Sequence, residues 1–112
     1  MNIDIIATDL DLTPSLKIYV EDKLGSIDKF IKKNHEKGSV HMRVEVGRTT
    51  RHHNKGDVFR AEANLEVAGK LLRAEDENSD IHIAIDRVED KLRRELITLK
   101  TKNLAARHSA EK

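Results

Sequence analysis

The sequence has no cysteine, one proline and only three aromatic residues among its 112. Without cysteine it can form no disulfide, no thiolate metal site and no cysteine nucleophile. It also lacks any apolar run near the roughly 20 residues of a membrane span, and its N-terminus has no basic segment leading into an apolar one. We therefore expect one folded domain that is cytoplasmic and has no membrane partner.

Positive and negative charges almost cancel over the chain, with 21 Lys and Arg against 20 Asp and Glu. By position they do not cancel. Bases and acids number 2 and 6 in residues 1–28, 9 and 3 in 29–60, 3 and 9 in 61–90, and 7 and 2 in 91–112. Bases gathered on one face can neutralise phosphates. From charge alone, nucleic-acid binding and a folded surface on which the charges scatter and cancel are equally open alternatives.

The first third of the chain predicts a strand followed by a helix. Apolar and polar residues alternate from Asn2 to Thr8, the period of a half-buried strand. Thr13 is a suitable N-cap and Pro14 a suitable first helical residue. Apolar residues then recur every three or four positions, which predicts an amphipathic helix to about Lys33. They are Leu16, Val20, Leu24, Ile27 and Ile31.

The middle of the chain predicts three more strands. Alternation through 40–46 and again through 59–67, with a polar and basic connection over 48–56, indicates a long hairpin. A short fourth strand is predicted over 71–75. Residues 76–80 then supply loop and cap chemistry.

A second helix is predicted to begin near Asp80. Its apolar stripe is formed by Ile81, Ile85, Val88, Leu92, Leu96 and Leu99. The stripe stops there, so we expect 1–102 to be a single domain and 103–112 a flexible C-terminal tail. The order β-α-β-β-β-α predicts an α+β fold, a four-stranded sheet with two helices packed on one face, like a double-stranded-RNA-binding domain.

Signals for catalysis are weak. No serine lies in a nucleophile elbow, and there is no glycine-rich phosphate loop. His52 and His53 are adjacent in the hairpin connection, where neighbouring side chains point apart, unlike the i, i+4 ligand pair of a helical zinc site. We expect no enzyme, no metal, no cofactor and no small-molecule substrate.

Basic residues on the second helix point instead to a polyanion. Arg87, Lys91 and Arg94 recur opposite the apolar stripe, with Arg93, Lys100 and Lys102 nearby. The same helix carries acids at i, i+4 positions, so a solvated, ion-paired face is the alternative.

Motifs in both helices are similar to those of a known family. Residues 80–86 read Asp-Ile-His-Ile-Ala-Ile-Asp against a D-M-Y-A-A-I-D type motif, and 90–102 follow D-K-L-x-R-Q-L-x-K-x-K-x-K. Residues 12–24 look like L-T-x-A-L-R-x-Y-V-x-x-K-L. Over residues 1–102 the chain therefore resembles the ribosome hibernation-promoting factor and ribosome-associated translation inhibitor family.

The resemblance implies a non-catalytic role in stressed or stationary-phase cells. Family members lodge in the mRNA and tRNA channel of the small ribosomal subunit and block translation by exclusion. The implied partners are the intact ribosome, the small subunit and its rRNA. Bases that match family positions facing the small-subunit rRNA are Lys91, Arg94, Lys100 and Lys102. Lys17 and Lys23 match basic positions of the family's first helix, and all six are candidate phosphate contacts. From the charge pattern we add Arg87 and Arg93, and, as weaker rRNA-binding candidates in the hairpin connection, Arg48, Arg51 and Lys55.

Four positions depart from the family pattern. His82 stands where Tyr is usual and Ile83 where Ala is usual, while Glu95 replaces Gln and Thr98 replaces Lys. The added anion and the lost cation predict a weaker rRNA-facing helix. The length leaves no room for the second domain of long members, so we expect a short form, acting either on ribosome dimers or on single ribosomes.

Two other functions stay open from the sequence. A stand-alone regulator could bind double-stranded RNA by reading A-form shape through basic contacts. A protein-interaction regulator of the transcription machinery could use the acidic block 62–90.

Overall fold

The computed structural model of the protein describes residues 1–31, 40–49, 56–67 and 69–110, with side chains described as far as Leu99. In chain order its elements are β1 (Asn2–Thr8), α1 (Pro14–Gly25), β2 (His41–Arg48), β3 (Phe59–Val67), β4 (Lys70–Asn78) and α2 (Ile81–Ala110), with a short 3₁₀ segment, Ser26–Phe30, after α1. Thr13 caps α1 as predicted, because its hydroxyl accepts a hydrogen bond from the Leu16 N–H at 3.2 Å.

The sheet has the strand order β1-β2-β3-β4, with β1 parallel to β2 and the other pairs antiparallel. A parallel pair needs a crossover connection, and α1 lies in it. The two parallel strands approach closely at Gly47, where a Cβ would lie 2.7 Å from the Thr8 carbonyl oxygen. This contact explains the glycine inside β2.

The core lies between one face of the sheet and the two helices. On the sheet side it is formed by alternate residues of β2 and β3, and on the helix side by the predicted apolar positions of α1 and α2. Val44, Leu65, Ile85 and Leu92 are fully buried. The α+β fold with both helices on one face is confirmed. The opposite face of the sheet, called the open sheet face below, carries the other alternate residues of each strand.

The first helix is shorter than predicted. It ends at Gly25 instead of Lys33, and the chain continues as the 3₁₀ segment. Glycine is a poor helix former, and the Ser26 hydroxyl next to it donates a hydrogen bond to the Lys23 carbonyl at 2.6 Å, which competes with the helical pattern. Ile27 is nevertheless buried, so the apolar spacing was informative beyond the end of the α-helix.

The fourth strand is longer than predicted. It runs to Asn78 instead of Glu75 and pairs with β3 along its whole length, as far as Phe59 opposite Asn78. The prediction of a loop over 76–80 failed because three consecutive acids hid the alternation. Of these, Asp76 points to the helix side, where it meets a lysine, and its neighbours point to the open sheet face.

The second helix begins as predicted and extends further. Asp80 caps it, since its carboxylate accepts a hydrogen bond from the His82 N–H at 2.9 Å and its carbonyl accepts one from the Ala84 N–H at 3.1 Å. The hydrogen bond from the His82 N–H is the main cause that lowers the pKa of the Asp80 carboxyl. The helical backbone continues to Ala110, past the boundary at residue 102 expected from the apolar stripe.

Gly47→Ala should destabilise the protein by about 1–3 kcal/mol, because the methyl group would overlap the Thr8 carbonyl and push the parallel strands apart. Gly25→Ala is the control. Its backbone is helical and a Cβ meets nothing within 4 Å, so the change should be neutral or stabilise by up to about 1 kcal/mol. Urea unfolding measures both, and a Gly47→Ala protein as stable as the wild type would contradict the close approach.

Candidate nucleic-acid interface

Three of the predicted bases line one flank of α2, beside β4. We call Arg87, Lys91 and Arg94 the flank row. The Lys91 Nζ lies 3.2 Å and an Arg87 nitrogen 4.0 Å from the carboxylate of Asp76 on β4. Arg94, one turn further, borders a groove floored by Leu72 of β4. The structure thus brings the three together, as their spacing predicted.

Arg93 lies on a different side of α2, with acids of its own helix. A guanidinium nitrogen donates to Asp90 at 2.5 Å, and another lies 3.6 Å from Glu89. The Asp90 carboxylate also lies 3.0 Å from a guanidinium nitrogen of Arg94. Residues 86–95 hold four acids and four bases, so this stretch has no net charge. The ion-paired alternative and the cationic row are both present on this helix.

A polar cluster joins α1 to α2 at their shared seam. The Tyr19 hydroxyl donates a hydrogen bond to the Asp86 carboxylate at 2.5 Å, and its ring meets the His82 ring edge-on, with centroids 4.6 Å apart. Lys23 lies 3.6 Å from the same carboxylate. The hydrogen bond to Asp86 and partial burial raise the pKa of Tyr19 to about 12. Lys23 is thus placed next to α2, partly compensated by Asp86.

Lys17 is separated from the other predicted bases. It lies two residues before Tyr19, which is about 200° around the helix at roughly 100° per residue. Because Tyr19 faces α2, Lys17 faces away from it. Its side chain is exposed and makes no ion pair with any residue in the described ranges. Sequence spacing alone could not reveal this separation.

The remaining predicted bases lie at or beyond the ends of the described segments of the chain. Lys100 and Lys102 are on the helical backbone of α2, and their side chains fall outside the described part. Arg51 and Lys55 lie outside the described residues altogether, as do His52 and His53. Arg48 is described, and it stacks on the Phe59 ring at 5.7 Å and lies 3.9 Å from Asp57.

Glu95 and Thr98, two of the departures from the family pattern, lie on the groove between α2 and β4. They flank Arg94, with Leu72 and Leu99 as apolar neighbours. Partial burial among these groups raises the pKa of the Glu95 carboxyl. The added anion is therefore next to the flank row, where the sequence placed it.

The open sheet face carries a network of charged side chains that we did not predict from the sequence. Its alternate positions hold six carboxylates and three arginines. Arg60 reaches both Glu62 and Glu75, and Arg73 lies 3.1 Å from Glu62. Hydrogen bonds donated by Asn64 and the two arginines lower the pKa of the Glu62 carboxyl. The hydrogen bonds that Arg60 donates to Glu62 and Glu75 raise the pKa of Arg60. This face is net acidic and repels phosphate.

Electrostatics therefore favour the helical layer for contact with a polyanion. The Arg87 and Arg94 side chains are 59% and 77% exposed. A solvent-accessible ion pair such as that of Arg94 with Asp90 contributes only about 0–1 kcal/mol, so phosphate can replace the carboxylate there. Among the described residues, no three His, Asp or Glu are arranged to hold a metal ion, and no helix is long and apolar enough to span a bilayer.

Comparison with known proteins identifies the family. A model described as "Sigma 54 modulation protein / S30EA ribosomal protein" matches residues 3–103. The chain belongs to this family. The resemblance noted from the two helix motifs is thereby confirmed.

Relatives in the family are named as ribosome hibernation factors. The ribosome hibernation promotion factor of Lactococcus lactis is 31% identical over 100 residues, 88% of this chain and 49% of that protein. The chain thus spans about half the length of this relative. The ribosome hibernation promoting factor of Azotobacter vinelandii is 31% identical over 104 residues, 93% of this chain and 87% of that protein.

Two solved structures have a similar fold. The N-terminal domain of Thermus thermophilus Protein Y has a TM-score of 0.69 and 29% identity, covering 86% of this chain and 96% of that one. A ribosomal subunit interface protein from Coxiella burnetii has a TM-score of 0.69 over 90% of this chain and 99% of that one; at 22% identity it supports the fold alone.

Tyr19 is the only tyrosine in a chain without tryptophan, so its ionisation can be followed by near-ultraviolet absorbance. We expect it to titrate at about 12 in the folded protein, and Asp86→Asn to move the pKa back towards 10. The pKa is raised on folding, so the stability from this bond is complete below pH 10 and is lost as pH rises towards about 12. Equal titration in wild type and variant would contradict the seam.

Proposed function

We propose that this chain binds the small subunit of the intact ribosome, contacts its rRNA through the helical layer, and inhibits translation by occupying the mRNA and tRNA channel. The proposed setting is the cytoplasm of stressed or stationary-phase cells. The observation that carries the proposal is the pair of exposed guanidinium groups, Arg87 and Arg94, on the flank of α2. The hibernation-factor names of its relatives support the same role.

The proposed mechanism is exclusion without chemistry. Phosphate oxygens of rRNA bind the exposed guanidinium groups of Arg87 and Arg94 in place of the carboxylates that pair with them, and the release of condensed counterions drives the exchange. A domain bound in a channel blocks mRNA and tRNA by its volume. Binding of this kind weakens steeply as salt concentration rises.

The second half of α2 extends the proposed interface. The helix of 30 residues is about 45 Å long at 1.5 Å per residue, whereas the nine residues of β4 span about 30 Å. No acid occurs from Leu96 to Ala110, and Lys100 and Lys102 lie on this part. The neutral stretch 86–95 therefore leads into a basic one along a single helix. The acidic open sheet face is proposed to point away from the rRNA.

Reversing one charge of the flank row should weaken binding to purified small subunits. Arg94→Glu should raise the Kd about tenfold or more, since a hydrogen bond to a charged group contributes about 1.5–3 kcal/mol. The slope of log K against log salt should fall by about 0.7–0.9. Arg43→Glu is the matched control, because Arg43 is exposed on the open sheet face and makes no ion pair within the described ranges. Co-sedimentation over a salt series measures both, and equal effects of the two reversals would contradict the proposed face.

The same assay separates the other two candidate functions. A stand-alone double-stranded-RNA regulator would bind free duplex RNA as tightly as it binds the small subunit. A protein-interaction regulator would bind neither, and its partner would be sensitive to changes in the acidic open sheet face. That face and the first half of the family description, "Sigma 54 modulation protein", are the observations that keep the last candidate in view.

A further inference from the structure

Asp76 is an acid in an unusual place. In the strand register it lies opposite Ala61, which is opposite Val46, so it belongs to the helix-facing side of the sheet. Its side chain is only 13% exposed. One of its oxygens, Oδ2, is buried and accepts no hydrogen bond from the described part of the chain. A carboxylate in this position needs a compensating cation.

Lys91 supplies that cation and also reaches the backbone of β4. Its Nζ donates a hydrogen bond to Asp76 Oδ1 at 3.2 Å and another to the Glu75 carbonyl oxygen at 2.6 Å. Since β4 is an edge strand of the described sheet, it has backbone groups without a strand partner. Two of the three ammonium donors therefore join α2 to β4.

The two arginines of the flank row are held differently. The Arg94 guanidinium pairs with Asp90 of its own helix, at i and i−4, so this contact does not connect α2 to the sheet. Arg87 lies 4.0 Å from Asp76 and forms no hydrogen bond with it. Both arginines keep more than half of their side-chain surface exposed.

We propose that Lys91 is a positioning residue that joins α2 to β4 through Asp76 and the Glu75 carbonyl, and that Arg87 and Arg94 supply the phosphate contacts of this flank. The role of Arg87 and Arg94 in this inference rests on the proposed function, whereas the role of Lys91 does not. It reassigns the lysine of the D-K-L-x-R motif, whose resemblance implied a direct rRNA contact.

Thermal unfolding tests the first half without any ribosome. Lys91→Met keeps the aliphatic stem and removes the ammonium, so it leaves the largely buried Asp76 carboxylate with only the Arg87 guanidinium, 4.0 Å away, and should lower Tm by roughly 5 °C or more. Asp76→Asn combined with Lys91→Met should cost less than the sum of the two single changes. Lys17→Met is the control, an exposed helix lysine without an ion pair in the described ranges, and should leave Tm unchanged. An unchanged Tm for Lys91→Met, or additive effects, would overturn the proposal.

Binding to purified small subunits, well below the lowest Tm, tests the second half. Arg94→Gln and Arg87→Gln should each lower the salt slope by about 0.7–0.9. Lys91→Met should leave the slope unchanged and change the Kd less than threefold. If Lys91→Met lowered the salt slope as much as Arg94→Gln does, the reassignment of Lys91 would be overturned. If neither arginine variant changed the slope while the Tm results held, the proposed face for rRNA would fail and the join between α2 and β4 would stand.

Discussion

Burial of the apolar stripe of α2 against β3 and β4 is the interaction on which the rest of the structure depends. Ile85, Val88 and Leu92 are fully buried there, and their spacing fixes the rotation of the helix about its axis. That rotation places the flank row beside β4 and turns Asp86 towards α1. Since both helices cover one face of the sheet, the charges of the other face form a separate, acidic surface.

The availability of the charged side chains of α2 depends on their ion-pair partners as much as on their position along the helix. The stretch 86–95 holds equal numbers of acids and bases, so the cationic character of α2 depends on which pairs are exposed and exchangeable. Arg94 and Asp90 form an exchangeable pair on one helix. Lys91 and Asp76 form a pair between helix and sheet in which the acid is largely buried. Although the net charge of the chain is near zero, some of its bases are held in structural ion pairs and others, on the flank of α2, are available to bind phosphate.

Apolar periodicity was sufficient to predict the fold, the four strands and the start of both helices. It failed at particular residues for physical reasons. The end of α1 depends on Gly25 and the Ser26 hydroxyl, which apolar spacing does not report. The end of β4 lies among acids, which predicted a loop because the sequence does not show that Lys91 compensates Asp76. The flank row was predicted as a group, whereas the separation of Lys17 and the seam formed by Tyr19 required the packing of α1 against α2.

We propose that the helical layer, and not the sheet, faces rRNA. Electron cryomicroscopy of small ribosomal subunits saturated with this chain tests it most directly. We expect the domain in the mRNA and tRNA channel, with the flank of α2 and its second half against rRNA and the open sheet face turned away. A domain bound through the open sheet face, or subunits that remain empty at saturating protein, would contradict it.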